Sequence, residues 1–442
     1  MTASVVGYAN VLAWVKARLI GKHITAVRTV AWGVLCILVA QRVTPAALAR
    51  AIPAEDSGSG RSRLRRVRRW WRGSELDLGT LTPLLIRAAL WLLPTGEQGE
   101  QGKQGETVVV AMDTTRAGLW EIWQAGVSFS GRTLPVAWAV VPYPWPRGRF
   151  RETTLALVEQ LQAAFPAGVR WSLVADRGFP SAMLFARLHG GQSDGQSERQ
   201  SGWTVRLRLC DWVGVAGVYA MVREHLEAGR LVAGSRVEAT IGSGTKDQPK
   251  TRAWLVVNEV IPEPPRHKRN PGTEQERAKR AKALSHHLAN KGRKSRPRSE
   301  AAKRYAHTWI LFTTAATVSE AVGQYALRMT IEETFRDWHH GWGLRDAVIG
   351  LTSEAEVVRV VGLVSLAYGL QVELGWRLSQ SVLGQWRRAQ WTVTNRVSLF
   401  WCGQQLFQDA GYDWRDWLNA QWAQLIVPAI SPEPIAPAEL AA

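Results

Sequence analysis

Two short runs, TVVVAMD at Thr107–Asp113 and RWSLVAD at Arg170–Asp176, are predominantly apolar, and each stops at an aspartate. Continuous apolar runs of this length, without alternation, are strands buried on both faces, and such strands need a sheet covered by helices. The residues between them supply the rest of the layer. WEIWQAGVSFSGRTLPVAWAVV, Trp120–Val141, reads as a hairpin turning at Ser130–Gly131, and ETTLALVEQLQAAF, Glu152–Phe165, as an amphipathic helix. Three strands, a helix and a fourth strand make an α/β sheet layer.

Ahead of this layer the chain reads as helical. Thr44-Pro45 and Thr82-Pro83 each set a capping hydroxyl before a proline at the first helical position. Between them RSRLRRVRRWWRG, Arg61–Gly73, carries seven arginines and the pair Trp70–Trp71. Two readings stand for it: a DNA-contacting helix with tryptophans stacked on bases, or a solvated basic helix with its tryptophans in a core. GEQGEQGKQGE, Gly96–Glu106, and GGQSDGQSERQSG, Gly190–Gly202, cannot bury apolar surface and read as loops.

Beyond the second insert, WTVRLRL, RLVAGSRVEATI and TRAWLVVNEV are strand-like, and Pro262–Arg304 is dense in Lys and Arg with few apolar residues. A β-rich insertion followed by a mobile basic arm is the simplest description. HTWILFTTA, His307–Ala315, returns to strand; YALRMTIEETFRDWHHG, Tyr325–Gly341, follows as a helix; and a further helix opens at Ser353, with Glu356 completing a capping box. The expected division is a helical DNA-binding domain at 1–95, the first part of the core at 107–202 and the insertion with its arm at 203–304. The second part of the core, with the Glu332 helix, occupies 305–380, and 381–442 is a helical candidate dimerisation region with a tail frayed from Val427.

Lys and Arg number 55 against 37 Asp and Glu, a formal net charge of +18. That surplus favours a polyanion, nucleic acid first and anionic lipid second, because each phosphate neutralised releases condensed counterions. The longest apolar runs, Val30–Ala40 and Val360–Leu370, are shorter than the roughly 18 to 20 residues that span a bilayer, so no membrane partner is expected. Met1 opens no signal-peptide pattern, and Cys36, Cys210 and Cys402 are too scattered for a disulfide framework or a zinc finger. A cytoplasmic, nucleoid-associated protein is expected.

Three acids stand out. Asp113 and Asp176 close neighbouring strands, and Glu332 sits on a helix after the sheet; converging carboxylates repel unless a cation joins them. Mg²⁺ is the expected cofactor, as two ions, with Mn²⁺ as a substitute, and the chemistry is in-line phosphoryl transfer. On a continuous helix Tyr325, Arg328, Glu332 and His339 share one narrow face. Arg328 is then a phosphate clamp, Tyr325 a stacking or hydrogen-bonding contact and His339 a donor to phosphate, with Arg336 as a further DNA contact. Glu333, about 100° away, is the poorer ligand. Blander readings exist for each: turn-forming aspartates, and an Arg–Glu surface pair four residues apart.

VVVAMDTT, LVADRGF and YALRMTIEETFRDWHHG, within about residues 107–375, resemble the DDE transposases of bacterial insertion sequences. The last matches that family's Y-x2-R-x3-E-x6-K signature at Tyr325, Arg328 and Glu332, with His339 in place of the lysine. The resemblance implies a ribonuclease-H-like mixed sheet flanked by helices, with a β-rich insertion and a helical N-terminal domain. It implies Asp113, Asp176 and Glu332 as metal ligands, with Tyr325 and Arg328 on DNA near the scissile phosphate. It further implies a homodimer that binds double-stranded DNA at terminal inverted repeats, cuts the ends and joins the 3′-hydroxyls to target DNA. Histidine at 339 is shorter than lysine and mostly neutral at pH 7, so its phosphate contact is expected to be weaker. The family's base-stacking tryptophan is matched equally loosely by Trp203, Trp212 and Trp254. A DNA-binding protein that has lost cleavage and a nuclease that cuts without joining are the alternatives.

Overall fold

The computed structural model describes residues 3–19, 22–52, 59–73, 78–93, 107–190, 201–245, 248–259, 305, 308–380 and 398–408. The first insert, nearly all of the second, the basic arm and the tail from Val427 lie outside the described residues, as does most of 381–442.

The N-terminal part is helical: α1 (Ala3–Arg18), α2 (Ile24–Ala40), α3 (Pro45–Ala51), α4 (Gly60–Gly73) and α5 (Leu78–Leu92). Pro45 opens α3, but the Thr44 hydroxyl makes no capping bond. The start expected at Thr82-Pro83 is overturned: α5 begins at Leu78, Pro83 lies inside it, and the buried Thr82 hydroxyl accepts from Gln160 Nε2 at 2.8 Å. Packing against the helix that carries Gln160, not a local cap, decides what this threonine does. On α4 the burial of Val67, Trp70 and Trp71 removes both tryptophans from base stacking, while Arg61, Arg65, Arg68, Arg69 and Arg72 face solvent.

The centre is one mixed sheet of ten strands in the order β3-β2-β1-β4-β5-β10-β9-β8-β6-β7. Its first half consists of β1 (Val108–Ala117), β2 (Trp120–Phe129), β3 (Arg132–Pro142), α6 (Arg149–Ala164), β4 (Trp171–Ala175), α7 (Ala182–Gly190) and β5 (Ser201–Arg206). β1, β2 and β3 are antiparallel neighbours, whereas β4 runs parallel to both β1 and β5. Ser130 and Gly131 turn the β2–β3 hairpin with φ of 44° and 81°, the left-handed pair that a two-residue turn demands. At the β-bulge beside Gly126 a Cβ would strike the Thr133 side chain and the Leu134 carbonyl, so only glycine fits.

The insertion does not form a sheet of its own. Residues 203–206, expected within it, belong to β5, and the sheet continues through β6 (Trp212–Val215), β7 (Val218–Met221), β8 (Arg236–Ile241) and β9 (Thr251–Val257), with α8 (Val222–Glu227) between β7 and β8. β10 (Ile310–Thr313) lies between β5 and β9, antiparallel to both, and so joins the halves. The β6–β7 hairpin, turning at Ala216–Gly217 with φ of 49° and 78°, went unread in the sequence.

The stretch read as one helix from Tyr325 is three pieces. α9 (Val318–Ala326) ends at Leu327, α10 (Met329–Arg336) follows, and Asp337–Gly341 forms a π-turn closed by Trp342 N–H to Asp337 O at 3.0 Å. At the joint, Arg328 N–H reaches Tyr325 O at 3.0 Å and Ile331 N–H reaches Arg328 O at 3.1 Å, a tighter 3₁₀ pattern. α11 (Leu344–Val348), α12 (Glu354–Gln380) and α13 (Leu399–Gln408) complete the described chain. α12 is long and apolar enough to cross a membrane by length and composition, yet it is mostly buried in the fold, against β3, α2, α4 and α13. Near its start, the Glu356 carboxylate accepts from Arg72 Nε of α4 at 3.2 Å.

Candidate functional site

Strand register builds the site. The last pair of β1 with β4 is Met112↔Ala175, and the last of β4 with β5 is Ala175↔Val205. The next residues along the three parallel strands are Asp113, Asp176 and Arg206, level with one another where the β1–β4 and β4–β5 ladders stop. One detail differs from expectation: Asp113 does not end its strand, because β1 goes on to Ala117 in its pairing with β2.

α9 and α10 bring the rest. Gln324 Oε1 accepts from Ser172 Oγ at 3.0 Å and from Thr204 Oγ1 at 2.8 Å, which pins α9 over β4 and β5. Thr330 Oγ1 lies 2.7 Å from Thr133 Oγ1, and Thr334 Oγ1 accepts from Thr133 N–H at 3.1 Å, which pins α10 on the β2–β3 hairpin. Between these anchors the joint turns Tyr325 and Arg328 onto the acids. Tyr325 OH donates to Asp176 Oδ1 at 2.9 Å, and Arg328 donates through Nη1 to Asp113 Oδ2 at 2.8 Å and through Nη2 to Glu332 Oε1 at 2.5 Å. Asp113, Asp176 and Glu332 are therefore gathered at one place, two of them by a single guanidinium.

Electrostatics follow the burial. Burial pushes the Asp113 carboxyl up to about 6, with Asp176 and Glu332 adding to the rise and the Thr114 N–H and Arg328 opposing it. Burial also raises Asp176, but the Arg177 N–H, Arg328, the Tyr325 hydroxyl and Arg206 outweigh it and hold that carboxyl below its ordinary range. Burial lifts the Tyr325 hydroxyl to about 12, so it stays a donor. Two neighbouring carboxylates thus differ in affinity for a proton, the more buried one holding it more tightly.

The remaining candidates sit apart from this cluster. The ring Nε2 of His339, in the π-turn, pairs with Thr115 Oγ1 at 2.7 Å, and burial, with help from His340 and Arg345, lowers its pKa, so it is neutral at pH 7. Arg336 is exposed and paired with Glu333 at 2.6 Å. Of the three tryptophans, Trp203 is fully buried and Trp254 is covered by the Arg236 guanidinium at 3.6 Å from the ring centroid. Trp212 is half-exposed beside the equally open Tyr219, 5.7 Å between rings.

Sequence reasoning passed over Arg206, whose Nη1 is 3.9 Å from Asp176 Oδ1, and Gln124, the cross-strand partner of Asp113. Gln124 is fully buried, and both atoms of its amide lack a hydrogen-bond partner.

A metal at this place would have to be held by the three acids. Their oxygen donors suit a hard divalent cation, and the contributions of Asp176 and Glu332 to the rise at Asp113, smaller than that of burial, act in the same direction. Their spacing is another matter, because the Arg328 fork stands between Asp113 and Glu332. Among the described residues, no three His, Cys, Asp or Glu side chains are grouped so as to hold a metal ion. Compared with known proteins, the chain matches no family model and no curated protein sequence.

Proposed function

We propose that this chain is a DDE-type transposase that cuts the ends of a DNA element and joins the 3′-hydroxyls to target DNA. The observation that carries the reading is the meeting of Asp113, Asp176 and Glu332, acids remote in sequence, around Tyr325 and Arg328. The strand order β3-β2-β1-β4-β5, antiparallel over the first three and parallel over the last three, supports a ribonuclease-H-like core. An excess of basic residues, +18 overall, and the exposed arginines of α4 suit a DNA substrate bound by two copies of the chain.

In this reading Asp113, Asp176 and Glu332 would hold Mg²⁺ or Mn²⁺, which would supply an activated oxygen nucleophile and charge stabilisation at the phosphorus. The protein's own residues do the positioning. Tyr325 holds Asp176 at a fixed rotamer, Arg328 would offer N–H donors to a phosphate once a metal took its place on Asp113 and Glu332, and the polar anchors of α9 and α10 keep the Glu332 helix rigid over the sheet. His339, neutral and paired with Thr115, braces the π-turn against β1.

A second reading, a DNA-binding protein without cleavage, is favoured by one observation, the arginine lodged between two of the acids. One assay separates the two. Asp113→Asn, Asp176→Asn and Glu332→Gln should each abolish Mg²⁺-dependent cleavage and joining of DNA that carries the element's ends, with DNA binding retained. Cleavage that persists in any of the three removes that residue from the metal site, and a wild-type chain that binds but never cuts establishes the second reading.

A further inference from the structure

Arg328 is 5% exposed, and both of its terminal nitrogens are committed to the acids. Its Nε is also buried but has no hydrogen-bond partner. An arginine placed simply to neutralise a carboxylate would be expected to fill its fork; this one spans two carboxylates on separate elements and leaves its Nε–H unused. Asp113 comes from β1 and Glu332 from α10, so the guanidinium bridges two elements.

We propose that Arg328 is a resident counter-ion, a latch that holds Asp113 and Glu332 in place of a divalent cation until metal and a DNA phosphate release it together. The inference rests on the proposed function, which makes those acids metal ligands. Its physical basis is competition. A metal ion entering between the carboxylates meets a fixed positive charge already bonded to Asp113 Oδ2 and Glu332 Oε1, and must displace it. The displaced guanidinium then needs an anion. A phosphate supplies one and can engage the idle Nε together with one terminal nitrogen, a bidentate contact absent from the latched state. Each ligand removes the other's competitor, so metal and DNA strengthen one another's binding by the same factor. Without DNA the site resists metal.

The test is Mn²⁺ binding to the full chain without DNA, followed by loss of the free-ion electron paramagnetic resonance signal. Arg328→Ala should bind Mn²⁺ about tenfold or more tightly than wild type, within the ordinary range of coupling between sites, and Asp113→Asn added to it should remove that binding. Arg328→Lys, which keeps the charge but cannot bridge as a fork, should show a smaller gain and guards against a misfolded alanine variant. Affinity in Arg328→Ala and Arg328→Lys that is equal to or weaker than wild type, with Asp113→Asn still abolishing binding, overturns the latch and leaves the metal site standing. Binding that Asp113→Asn does not touch in any background overturns the metal assignment, and the latch with it.

Discussion

Asp113 carries the sharpest residue-level consequence. Its carboxyl is raised to about 6 in the fold, against 3.8 for the free side chain, chiefly by burial. For an acid the sign is unambiguous: the protonated form is favoured in the folded state, so the contribution to stability is greatest at low pH and is lost as pH rises through about 6. Asp113→Asn, which mimics the neutral acid, should therefore stabilise the protein at pH 7 to 8 by on the order of 2 kcal/mol, and on the proposed function it should end cleavage. Denaturant unfolding at pH 7.5 and pH 4 checks this, with the difference expected to vanish at the lower pH. The acids, Tyr325 and Arg328 were legible because each stands at a recognisable place in its local pattern. Arg206, Gln124 and Thr115 were not, because their relation to Asp176, Asp113 and His339 exists only across strand register or between a strand and a distant turn.

The Tyr325–Gly341 stretch is the instructive element. Periodicity predicts one helix, and the polypeptide is close to that, but a 3₁₀ joint at Leu327–Arg328 and a π-turn after Arg336 reset the angle of each piece. The causes are tertiary: Thr330 and Thr334 bond to Thr133, and Asp337 takes Arg132 Nε at 2.8 Å and the Tyr368 hydroxyl at 3.0 Å. Such contacts leave no trace in a helical wheel. Thr330→Val strands the buried Thr133 hydroxyl, whose hydrogen bond is to Thr330 Oγ1, and should cost about 1 to 3 kcal/mol. Its denaturation midpoint should fall, and on the proposed function cleavage should fall with it, since α10 carries Glu332.

At the scale of the whole molecule the βββαβ order was readable from local pattern alone, down to the Ser130–Gly131 turn. The joining of core and insertion into one ten-stranded sheet was not, since it depends on β10 pairing with strands far from it in the chain. The N-terminal helices are locked to α12 through a buried charge. Glu373 accepts from Trp14 Nε1 at 3.2 Å, lies 3.5 Å from Arg18 Nη2 and pairs with Arg377 at 2.9 Å. Glu373→Ala leaves Arg18 buried without its partner and should destabilise by about 3 to 5 kcal/mol, read as a lowered thermal midpoint.

The row in which Met112, Ala175 and Val205 stand abreast has an evolutionary corollary. Side chains alternate sides along a strand, so sliding β4 by one position would carry Asp176 to the opposite face of the sheet and swap the buried Leu173 and Val174 between its two packed faces in the same motion. Whatever selects for a well-made interior also selects for aligned acids. On the proposed function, sequences that have lost activity should thus have swapped an acidic side chain outright, and seldom carry insertions or deletions within β1 or β4.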